Sequence, residues 1–404
     1  MTSTQQFTNK TVLISGASVA GPALAYWLHR YGFSVTVVEQ ASTLREGGYK
    51  VDIRGVAMDV IARMGLSAEI ERASTDMRGG AWVDESGKAL ATLGPDLIGL
   101  RSPGDDEVLR GDLARILFDA SKSGVEYIFG DSITGLRQLA EGVEVGFRNS
   151  PPRVFDLVIG ADGMHSTVRH NIFGSEEQFA RHTGMAACVI SVPNFLDLDH
   201  WELVHPTPGR IVQMYSTHRS AAKAQFIFAE PGQLPDRRDV AGQQRLVAEA
   251  FADGGWETAN LLRAIPESPD FYFDTVSQIH LDRWSEGRVA LVGDAAYCPS
   301  PLSGQGTSMA LVGAYVLAGE LKAAAGDHRV AFAAYQEKMR EYIDLNLTLG
   351  WSNATQMVAG GKRAIRMQTT MLRMLRRMPW KGLALRPIIK PLAHASNAIH
   401  LETY

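Results

Sequence analysis

The chain has 404 residues, of which 45% are hydrophobic and 21% charged, and its formal net charge is −4. Such a chain can bury a large core, and its length predicts two or three structural units. It lacks the basic excess of a general nucleic-acid binder, so no nucleic-acid partner is expected. Its only cysteines, Cys188 and Cys298, argue against a disulfide framework and favour a reducing, cytoplasmic compartment. Residues 1–10 lack the pattern of a secretory signal. The sequence contains no apolar run of about 18 residues, so no membrane-spanning helix is expected.

The N-terminal part of the chain predicts a βαβ unit. Residues 11–15 form a β-prone run, residues 21–31 place apolar side chains at helical spacing, and residues 34–39 are rich in valine. A glycine loop at 16–21 stands at the first strand-to-helix turn. The pattern then predicts helices at 57–64 and 111–121, strand-like pieces from about 75 to 105, and strands at 125–129, 143–148 and 154–161.

Beyond residue 180 the pattern changes. Residues 186–192, 210–216 and 223–229 read as strands separated by turn residues, so a second, mainly antiparallel sheet is expected between about 180 and 275. Residues 288–292 predict a buried strand, residues 307–324 a helix of small residues, and the tail to 404 is mostly helical in pattern. Without internal repeats or a low-complexity linker, this alternation predicts interleaved domains rather than domains in series.

The glycine loop Gly16-Ala-Ser18-Val-Ala20-Gly21 favours nucleotide binding. Glycines at a first strand-to-helix turn let the backbone approach a pyrophosphate, and the helix N-terminus offers unpaired N–H groups. Ser18 stands where the usual fingerprint has its second glycine. Glu39 closes the second strand, where an acid accepts a hydrogen bond from a ribose hydroxyl; a tight turn with an ordinary solvated glutamate is the alternative. The predicted cofactor contacts here are Gly16, Ser18, Ala20, Gly21, Glu39 and Gln40.

The second motif, Asp156-Leu-Val-Ile-Gly-Ala-Asp162-Gly163-Met-His-Ser166-Thr-Val-Arg169, resembles a segment of the FAD-dependent monooxygenases that share the fold of p-hydroxybenzoate hydroxylase. In that family the segment D-x-x-x-G-A-D-G-x-x-S-x-V-R lies near the pyrophosphate and touches both FAD and the nicotinamide cofactor. The resemblance therefore assigns Asp162 to the cofactor site. Ser166 can cap the following helix, and the alternative is that Asp162 only braces this turn.

The third motif begins with Gly293-Asp294-Ala-Ala and resembles the family's G-D-A-A-H element, whose Asp hydrogen-bonds the ribityl chain of FAD. Tyr297 replaces the usual His. The following segment, 299–308, resembles the P-x-x-G-Q-G-x-N loop beside the isoalloxazine, with Ser308 in place of Asn and Gly313 where Asp is common. The helix that starts near Thr307 would point its positive end at the ring and favour the anionic reduced flavin. The contacts implied are Gly293, Asp294, Pro301, Gly304, Gln305, Gly306, Thr307 and Ser308.

Two further segments agree with this resemblance. Val-Leu-Arg110-Gly-Asp-Leu resembles the family's R-x-x-L element, in which the Arg sits near the FAD phosphates, although a surface helix Arg is the alternative. Arg45-Glu-Gly-Gly-Tyr-Lys-Val-Asp52 resembles the tetracycline-inactivating flavin monooxygenases within the family. That comparison places Asp52 on FAD and Arg45 on the nicotinamide cofactor, while both could equally be exposed charges.

The resemblance implies an α/β fold in which a Rossmann-like FAD-binding domain is interleaved with a mainly antiparallel β-sheet substrate domain, plus C-terminal helices. It spans residues from about 11 to 325. The expected segments are 1–75, 106–178 and 276–335 for the FAD-binding domain, 76–105 and 179–275 for the substrate-binding domain, and 336–404 for the helical tail.

The activity that the resemblance implies is a monooxygenase reaction on an aromatic or polycyclic small molecule, including an antibiotic such as a tetracycline. In the family NAD(P)H reduces FAD, O₂ adds at flavin C4a, and the hydroperoxide delivers one oxygen atom to the substrate. Because the cofactor performs the difficult step, no catalytic side chain is nominated. No metal is expected, since the histidines lack ligand spacing. The alternatives are a reductase or halogenase on the same fold, or a flavoprotein that sequesters a drug without turnover.

Substrate contacts are expected from the second sheet, because alternate residues of a strand share a face. The nominated residues are Gln213, Tyr215 and Gln225, with Pro301 and Leu302 from the third motif; core positions are the alternative for each. The tail from 362 to 390 carries nine Lys or Arg and no acidic residue. We expect it to pack its apolar side on the body of a monomer or homodimer rather than to contact a membrane.

Overall fold

The structure is a computed structural model, which describes residues 7–404 except 46, 96, 218–221, 230, 231, 233, 301, 302, 379 and 380. Two large sheets organise these residues. The first has six strands, β1 (Thr11–Ser15), β2 (Ser34–Glu39), β7 (Glu126–Phe129), β11 (Leu157–Gly160), β17 (Ser285–Glu286) and β18 (Val289–Leu291). Their order is β17-β18-β11-β1-β2-β7, with all pairs parallel except β17-β18. The predicted βαβ unit is therefore present, with β1 at the centre.

Helices pack around this sheet. They are α1 (Ala20–Arg30), α2 (Val56–Met64), α3 (Ser67–Ala73), α4 (Arg110–Ser121), α5 (Thr167–Phe173), α8 (Asp294–Tyr297) and α9 (Gly306–Ala323). α1 packs against both α4 and α9. In α9 every residue from 308 to 321 is buried, because its small side chains let neighbouring helices approach from several sides.

The second sheet has seven strands, β4 (Gly79–Val83), β5 (Ala89–Leu93), β12 (Ala180–Val192), β13 (Trp201–Thr207), β14 (Arg210–Ser216), β15 (Ala222–Ala229) and β16 (Tyr272–Ile279). The order is β16-β12-β15-β14-β13-β4-β5, and only β13 and β4 are parallel. One face packs on α6 (Val240–Ala250) and α7 (Thr258–Ala264) through a cluster that includes Phe226 and Phe251. The opposite face carries Glu202, Gln213 and Tyr215 and contacts Lys50, and we call it the open face.

Four elements of this region were not predicted from the sequence, namely the strands β13 and β16 and the helices α6 and α7. Pro206 lies inside β13, where it argues against a central strand. β4 pairs with β13 only as far as Val204. Pro206 therefore lies beyond the β4–β13 pairing, where its missing N–H interrupts no hydrogen bond to β4. For α6, the N-cap Asp239, which accepts from the N–H of Gly242, is the signal that could have located the helix.

Two small sheets complete the strands. β3 (Lys50–Ile53) pairs antiparallel with β6 (Asp106–Leu109), and β8 (Ile133–Leu139), β9 (Gly142–Phe147) and β10 (Arg153–Phe155) form a three-stranded antiparallel sheet. The domain boundaries stay a prediction, although β16 continues through residue 276 to Ile279, past the expected start of the last FAD-binding segment.

The tail is helical, as predicted, and consists of α10 (His328–Met357), α11 (Lys362–Arg377) and α12 (Lys381–Ser396). α10 packs on α9, and α11 packs on β5. Leu375 of α11 is buried, whereas Met367, Met371 and Met374 of the same helix are exposed. Within the described residues, no helix combines the length and the apolar character needed to cross a bilayer.

Candidate functional site

The first strand-to-helix turn is packed against the neighbouring strand. A Cβ on Gly16 would lie 2.5 Å from the carbonyl oxygen of Ala161, and a Cβ on Gly21 would lie 1.9 Å from the carbonyl oxygen of Gly16. Only glycine fits at these two positions. α1 begins at Ala20 without a side-chain cap, so its first N–H groups can receive a phosphate.

Glu39 ends β2 with its carboxylate against the glycine loop. The carboxylate accepts hydrogen bonds from the backbone N–H of Ala17 (2.8 Å) and of Ala41 (3.0 Å). Glu39 is only 6% exposed, so it is not an ordinary solvated glutamate, whereas the neighbouring Gln40 is exposed. A buried carboxylate at this turn suits the hydroxyl groups of a ribose.

Arg110 and Ser18 meet at a small cleft beside this loop. Nη1 of Arg110 donates to Oγ of Ser18 at 3.0 Å, so the serine in the place of the second glycine holds a guanidinium. The cleft is lined by these two residues together with Ala17, Glu39, Leu44, Arg45 and Ala114. Arg45 itself is exposed. The guanidinium of Arg110 and a helix N-terminus suit a pyrophosphate, and the contact of Arg45 with the nicotinamide cofactor stays a prediction.

Asp162 caps α5. Its carboxylate accepts from Oγ of Ser166 (2.5 Å) and from the N–H groups of Thr167 (2.9 Å) and Val168 (3.2 Å). Ser166 accepts in turn from the N–H of Arg169 at 2.9 Å, which is the cap expected from the sequence. Burial raises the pKa of Asp162, while these hydrogen bonds oppose the rise. Asp162 thus braces the turn, and its contact with the cofactor stays a prediction.

Arg169 connects the second motif to the third. Its side chain is 1% exposed, and its guanidinium donates to the carbonyl oxygens of Ala295 (3.0 Å) and Met164 (2.5 Å). It also donates to Oε2 of Glu176 at 3.1 Å. The final Arg of the second motif therefore holds the start of α8 in place.

Asp294 opens α8, directly after Gly293, whose φ of 65° is in the left-handed region. Burial raises the pKa of Asp294 to about 6; a hydrogen bond from Cys298 opposes the rise and the charge of Asp274 adds to it. A Cβ on Gly306 would lie 3.6 Å from Oδ1 of Asp294. The carboxyl group therefore stands beside the first residue of α9, and its contact with the ribityl chain stays a prediction.

Gln305 is the clearest sign that a ligand belongs here. The residue is fully buried, and neither its Oε1 nor its Nε2 has a hydrogen-bond partner among the described residues. Leaving a buried amide unpaired costs about 1–3 kcal/mol, so an absent partner is indicated. Thr307 is half-buried, and Ser308 is buried with its Oγ accepting from the N–H of Arg54 at 2.9 Å. A polar flavin edge fits this loop.

Asp52 reaches the same loop with Arg54, a residue that sequence analysis missed. Nη2 of Arg54 donates to Oδ2 of Asp52 at 2.8 Å, and that oxygen lies 3.1 Å from where a Cβ on Gly304 would stand. Arg54 also donates to the carbonyl oxygens of Gly99 (2.5 Å) and Leu100 (3.1 Å). Burial raises the pKa of Asp52, and Arg54 opposes the rise. No motif marks Arg54, because its two carbonyl partners come from a distant loop.

Comparison with known proteins identifies the family. The family model described as "FAD binding domain" matches residues 9–342. A flavin-dependent monooxygenase of Legionella longbeachae is 41% identical over 352 residues, covering 87% of this chain and 90% of the relative. This chain belongs to the FAD-binding monooxygenase family.

Other similar proteins extend this result. An uncharacterised protein of Mycobacterium tuberculosis is 48% identical over 345 residues, which cover 83% of this chain and 91% of the relative. The crystal structure of tetracycline destructase Tet(55) is 36% identical, with a TM-score of 0.84 over 99% of this chain and 100% of the other. Tet(51) gives 36% identity and a TM-score of 0.85.

Two departures from the family motifs explain each other in this monooxygenase. Tyr297, in the place of His, is 1% exposed and points into the core, where its hydroxyl meets that of Tyr335 at 2.8 Å. A Cβ on Gly313 would lie 2.0 Å from the Tyr297 hydroxyl. The missing side chain at 313, where Asp is common, therefore makes room for the tyrosine.

We expect Gly313→Ala to destabilise the monooxygenase by about 1–3 kcal/mol through overpacking against Tyr297. In a Tyr297→Phe background the same change should be neutral or stabilising by up to about 1 kcal/mol, because alanine favours helix and the clashing oxygen is gone. Urea unfolding of the four proteins in this double-mutant cycle measures the coupling. Additive effects would show that the two positions do not share one space.

His165 of the second motif lies between two carboxylates. Nδ1 contacts Glu176 at 2.9 Å, and Nε2 contacts Asp274 of β16 at 3.0 Å. Burial lowers the pKa of His165, but the hydrogen bonds to Asp274 and Glu176 outweigh it and raise the pKa to about 9. At neutral pH the His165 imidazolium therefore links the second motif to β16, the edge strand of the second sheet.

The folded chain binds the proton of His165 more tightly than the unfolded chain does. The contribution of this proton to the free energy of unfolding is therefore complete below about pH 6.5 and is lost as the pH rises through about 9. After allowance for solvent screening we expect a loss of about 1–2 kcal/mol. His165→Asn should remove this part of the pH dependence, whereas His170→Asn, at an exposed position of α5, should keep it. Unfolding free energies from pH 6 to 10 provide the measurement; identical pH profiles for the wild type and His165→Asn would contradict the assignment.

The nominated substrate residues lie on the open face of the second sheet. Gln213 and Gln225 are opposite each other on β14 and β15, and both are half-buried. Tyr215 shares this face but is 1% exposed; its hydroxyl accepts from the N–H of Lys50 at 3.3 Å, and its ring lies 4.7 Å from Nζ of Lys50. Tyr215 thus lies within the contact between β3 and the sheet. Pro301 and Leu302 lie outside the described residues.

Proposed function

We propose that this FAD-dependent monooxygenase uses NAD(P)H and O₂ to hydroxylate a flat aromatic or polycyclic molecule held between the 303–308 loop and the open face. The observation that carries the proposal is the fully buried, unpartnered amide of Gln305. It stands at the start of α9, in the loop that the family places beside the isoalloxazine. The resemblance to tetracycline destructases Tet(55) and Tet(51) supports an antibiotic such as a tetracycline as one candidate substrate.

We infer which residues would hold each part of FAD. The α1 N-terminus and Arg110 would take the pyrophosphate, Glu39 the adenosine ribose, and Asp294 the ribityl hydroxyls. The remaining nominated groups, Asp52, Gly304, Gln305, Gly306, Thr307 and Ser308, would border the flavin ring. When bound, FAD supplies the redox chemistry by taking a hydride from NAD(P)H and activating O₂. The protein orients the substrate and excludes water.

Asp294 is suited to a polyhydroxylated chain. With a pKa of about 6, its carboxyl group is mostly ionised at neutral pH and accepts hydrogen bonds from hydroxyl groups. A bound ribityl hydroxyl would supply this half-buried carboxylate with a hydrogen-bond donor in addition to Cys298. A Cβ on Gly293 would lie 3.2 Å from the Cβ of Ala20 in α1 and 3.5 Å from the Cβ of Ala310 in α9. The positive ends of these two helices would favour anionic phosphates and an anionic reduced ring.

The purified protein should be yellow, release FAD on denaturation, and oxidise NADPH or NADH faster when a substrate is added. A screen of tetracyclines and smaller aromatic compounds, followed by mass spectrometry, should find a product heavier by one oxygen atom that derives from isotopically labelled O₂. A colourless protein that binds no added FAD would contradict the proposal. Product heavier only by hydrogen would indicate a reductase, halogen incorporation a halogenase, and unchanged bound ligand a sequestering protein.

A further inference from the structure

The open face of the second sheet is ordered in three rows, which follow from strand register. Residues directly opposite each other on neighbouring strands share a face. The first row is apolar apart from its end, the middle row contains two amides, and the third row is polar or charged. The first row consists of Pro206, Ile211, Ile227, Ala187 and Asp274. The middle row consists of Val204, Gln213, Gln225, Val189 and Tyr272. The third row consists of Glu202, Tyr215, Lys223 and Ser191.

The charged groups of the third row are already paired. Nζ of Lys50 donates to Oε2 of Glu202 at 2.7 Å, and Nζ of Lys223 donates to Oδ2 of Asp270 at 2.6 Å. Neither ammonium group is left to bind an anionic substrate. The open face therefore favours an uncharged molecule.

The two amides of the middle row are not fully paired. Nε2 of Gln213 donates to Oε2 of Glu202 at 2.9 Å. A carboxylate only accepts, so the amide nitrogen must face Glu202. The Gln213 oxygen has no partner among the described residues, and the same holds for the whole side-chain amide of Gln225. Valines flank both amides in the row.

We propose that Gln213 and Gln225 form a polar subsite that binds a hydroxyl-bearing edge of a flat, uncharged substrate, and that Glu202 is a positioning residue for it. By holding the Gln213 amide nitrogen, Glu202 presents the Gln213 oxygen as an acceptor for a substrate hydroxyl. Ile211 and Ile227 are only 7% and 3% exposed and pack with Val358, so the apolar body of the ligand would lie along the middle row toward Tyr272, which is 36% exposed. This assignment of substrate class rests on the proposed function.

The test compares two probes of similar size, 2-naphthol and 2-methoxynaphthalene, which differ in the hydroxyl donor. Their dissociation constants for the FAD-loaded protein are measured by equilibrium dialysis without NAD(P)H, so binding is separated from turnover. The wild type should bind 2-naphthol about tenfold more tightly, as one hydrogen bond in a half-buried site allows. Gln213→Met should bring the ratio to about one while 2-methoxynaphthalene still binds.

Glu202→Gln keeps the size of the side chain but lets the Gln213 amide turn over, so the ratio should fall without loss of 2-methoxynaphthalene binding. A merely structural role for Glu202 would weaken both probes equally. The matched control is Gln244→Met on α6, on the other side of the sheet, which should keep the wild-type ratio. Equal affinities in the wild type, no binding of either probe, or a ratio that survives Gln213→Met would overturn the subsite. Selective binding without oxygen insertion into any compound would instead contradict the proposed function alone.

Discussion

Replacing Gly21 by alanine should lower the free energy of unfolding by about 3 kcal/mol and abolish FAD binding. The added Cβ would lie 1.9 Å from the carbonyl oxygen of Gly16, and a backbone oxygen cannot yield as a flexible side chain can. Either α1 moves away from β1 or the turn opens, and both changes displace the N–H groups that would receive the pyrophosphate. Urea unfolding and FAD titration measure the two effects.

Gly135→Ala is the matched control for this change. Gly135 has no heavy atom within 4 Å of the added Cβ and does not require the left-handed backbone region. It should therefore leave the midpoint of unfolding and the affinity for FAD almost unchanged. If Gly21→Ala retained FAD with wild-type affinity, the close approach of α1 to β1 would not be what shapes the phosphate site.

Arg169→Met should destabilise the monooxygenase by about 3–5 kcal/mol, as expected when one partner of a buried polar network is removed. The substitution keeps a long apolar stem but leaves the carbonyl oxygens of Ala295 and Met164 without their donor. Because Ala295 follows Asp294, FAD affinity should fall together with stability. Denaturant unfolding and FAD titration again provide the measurement.

Arg169→Lys should recover only part of this loss, since an ammonium group cannot reproduce the planar fork of a guanidinium. Arg153→Met is the matched surface control: Arg153 pairs with Glu126, and its side chain is 39% exposed, so the change should cost about 0–1 kcal/mol. A loss of similar size in Arg153→Met and Arg169→Met would show that the connection between the two motifs contributes nothing special.

The turns that are proposed to hold the cofactor could be located from the sequence because each lies between a strand and a helix that are adjacent in the chain. Gly16, Gly21 and Glu39 all belong to one βαβ unit. The second motif contains strand β11, and the third motif begins just after strand β18. Each motif thus combines a strand end and a helix start within a short stretch of chain. The family and its cofactor were identified correctly for this reason.

The substrate side could be predicted only in part. Strand alternation correctly placed Gln213 and Gln225 on one face of the sheet, and their role in substrate binding stays a prediction. Glu202, the partner of Gln213, was not found because Pro206 argued against a strand at β13. Arg54 and the carboxylate partners of His165 were missed because their contacts depend on distant segments. The fit between Tyr297 and Gly313 requires the spacing of two helices, which no local pattern contains.

The contacts between β3, the second motif and the second sheet have a thermodynamic consequence. Lys50 binds Glu202, Tyr49 lies beside Tyr272 with ring centres 5.9 Å apart, and His165 binds Asp274. A small molecule that shifts the open face must therefore disturb the strand that carries Asp52. Binding linkage is reciprocal: if such a small molecule changes the affinity of the protein for FAD by some factor, FAD changes the affinity of the protein for that molecule by the same factor.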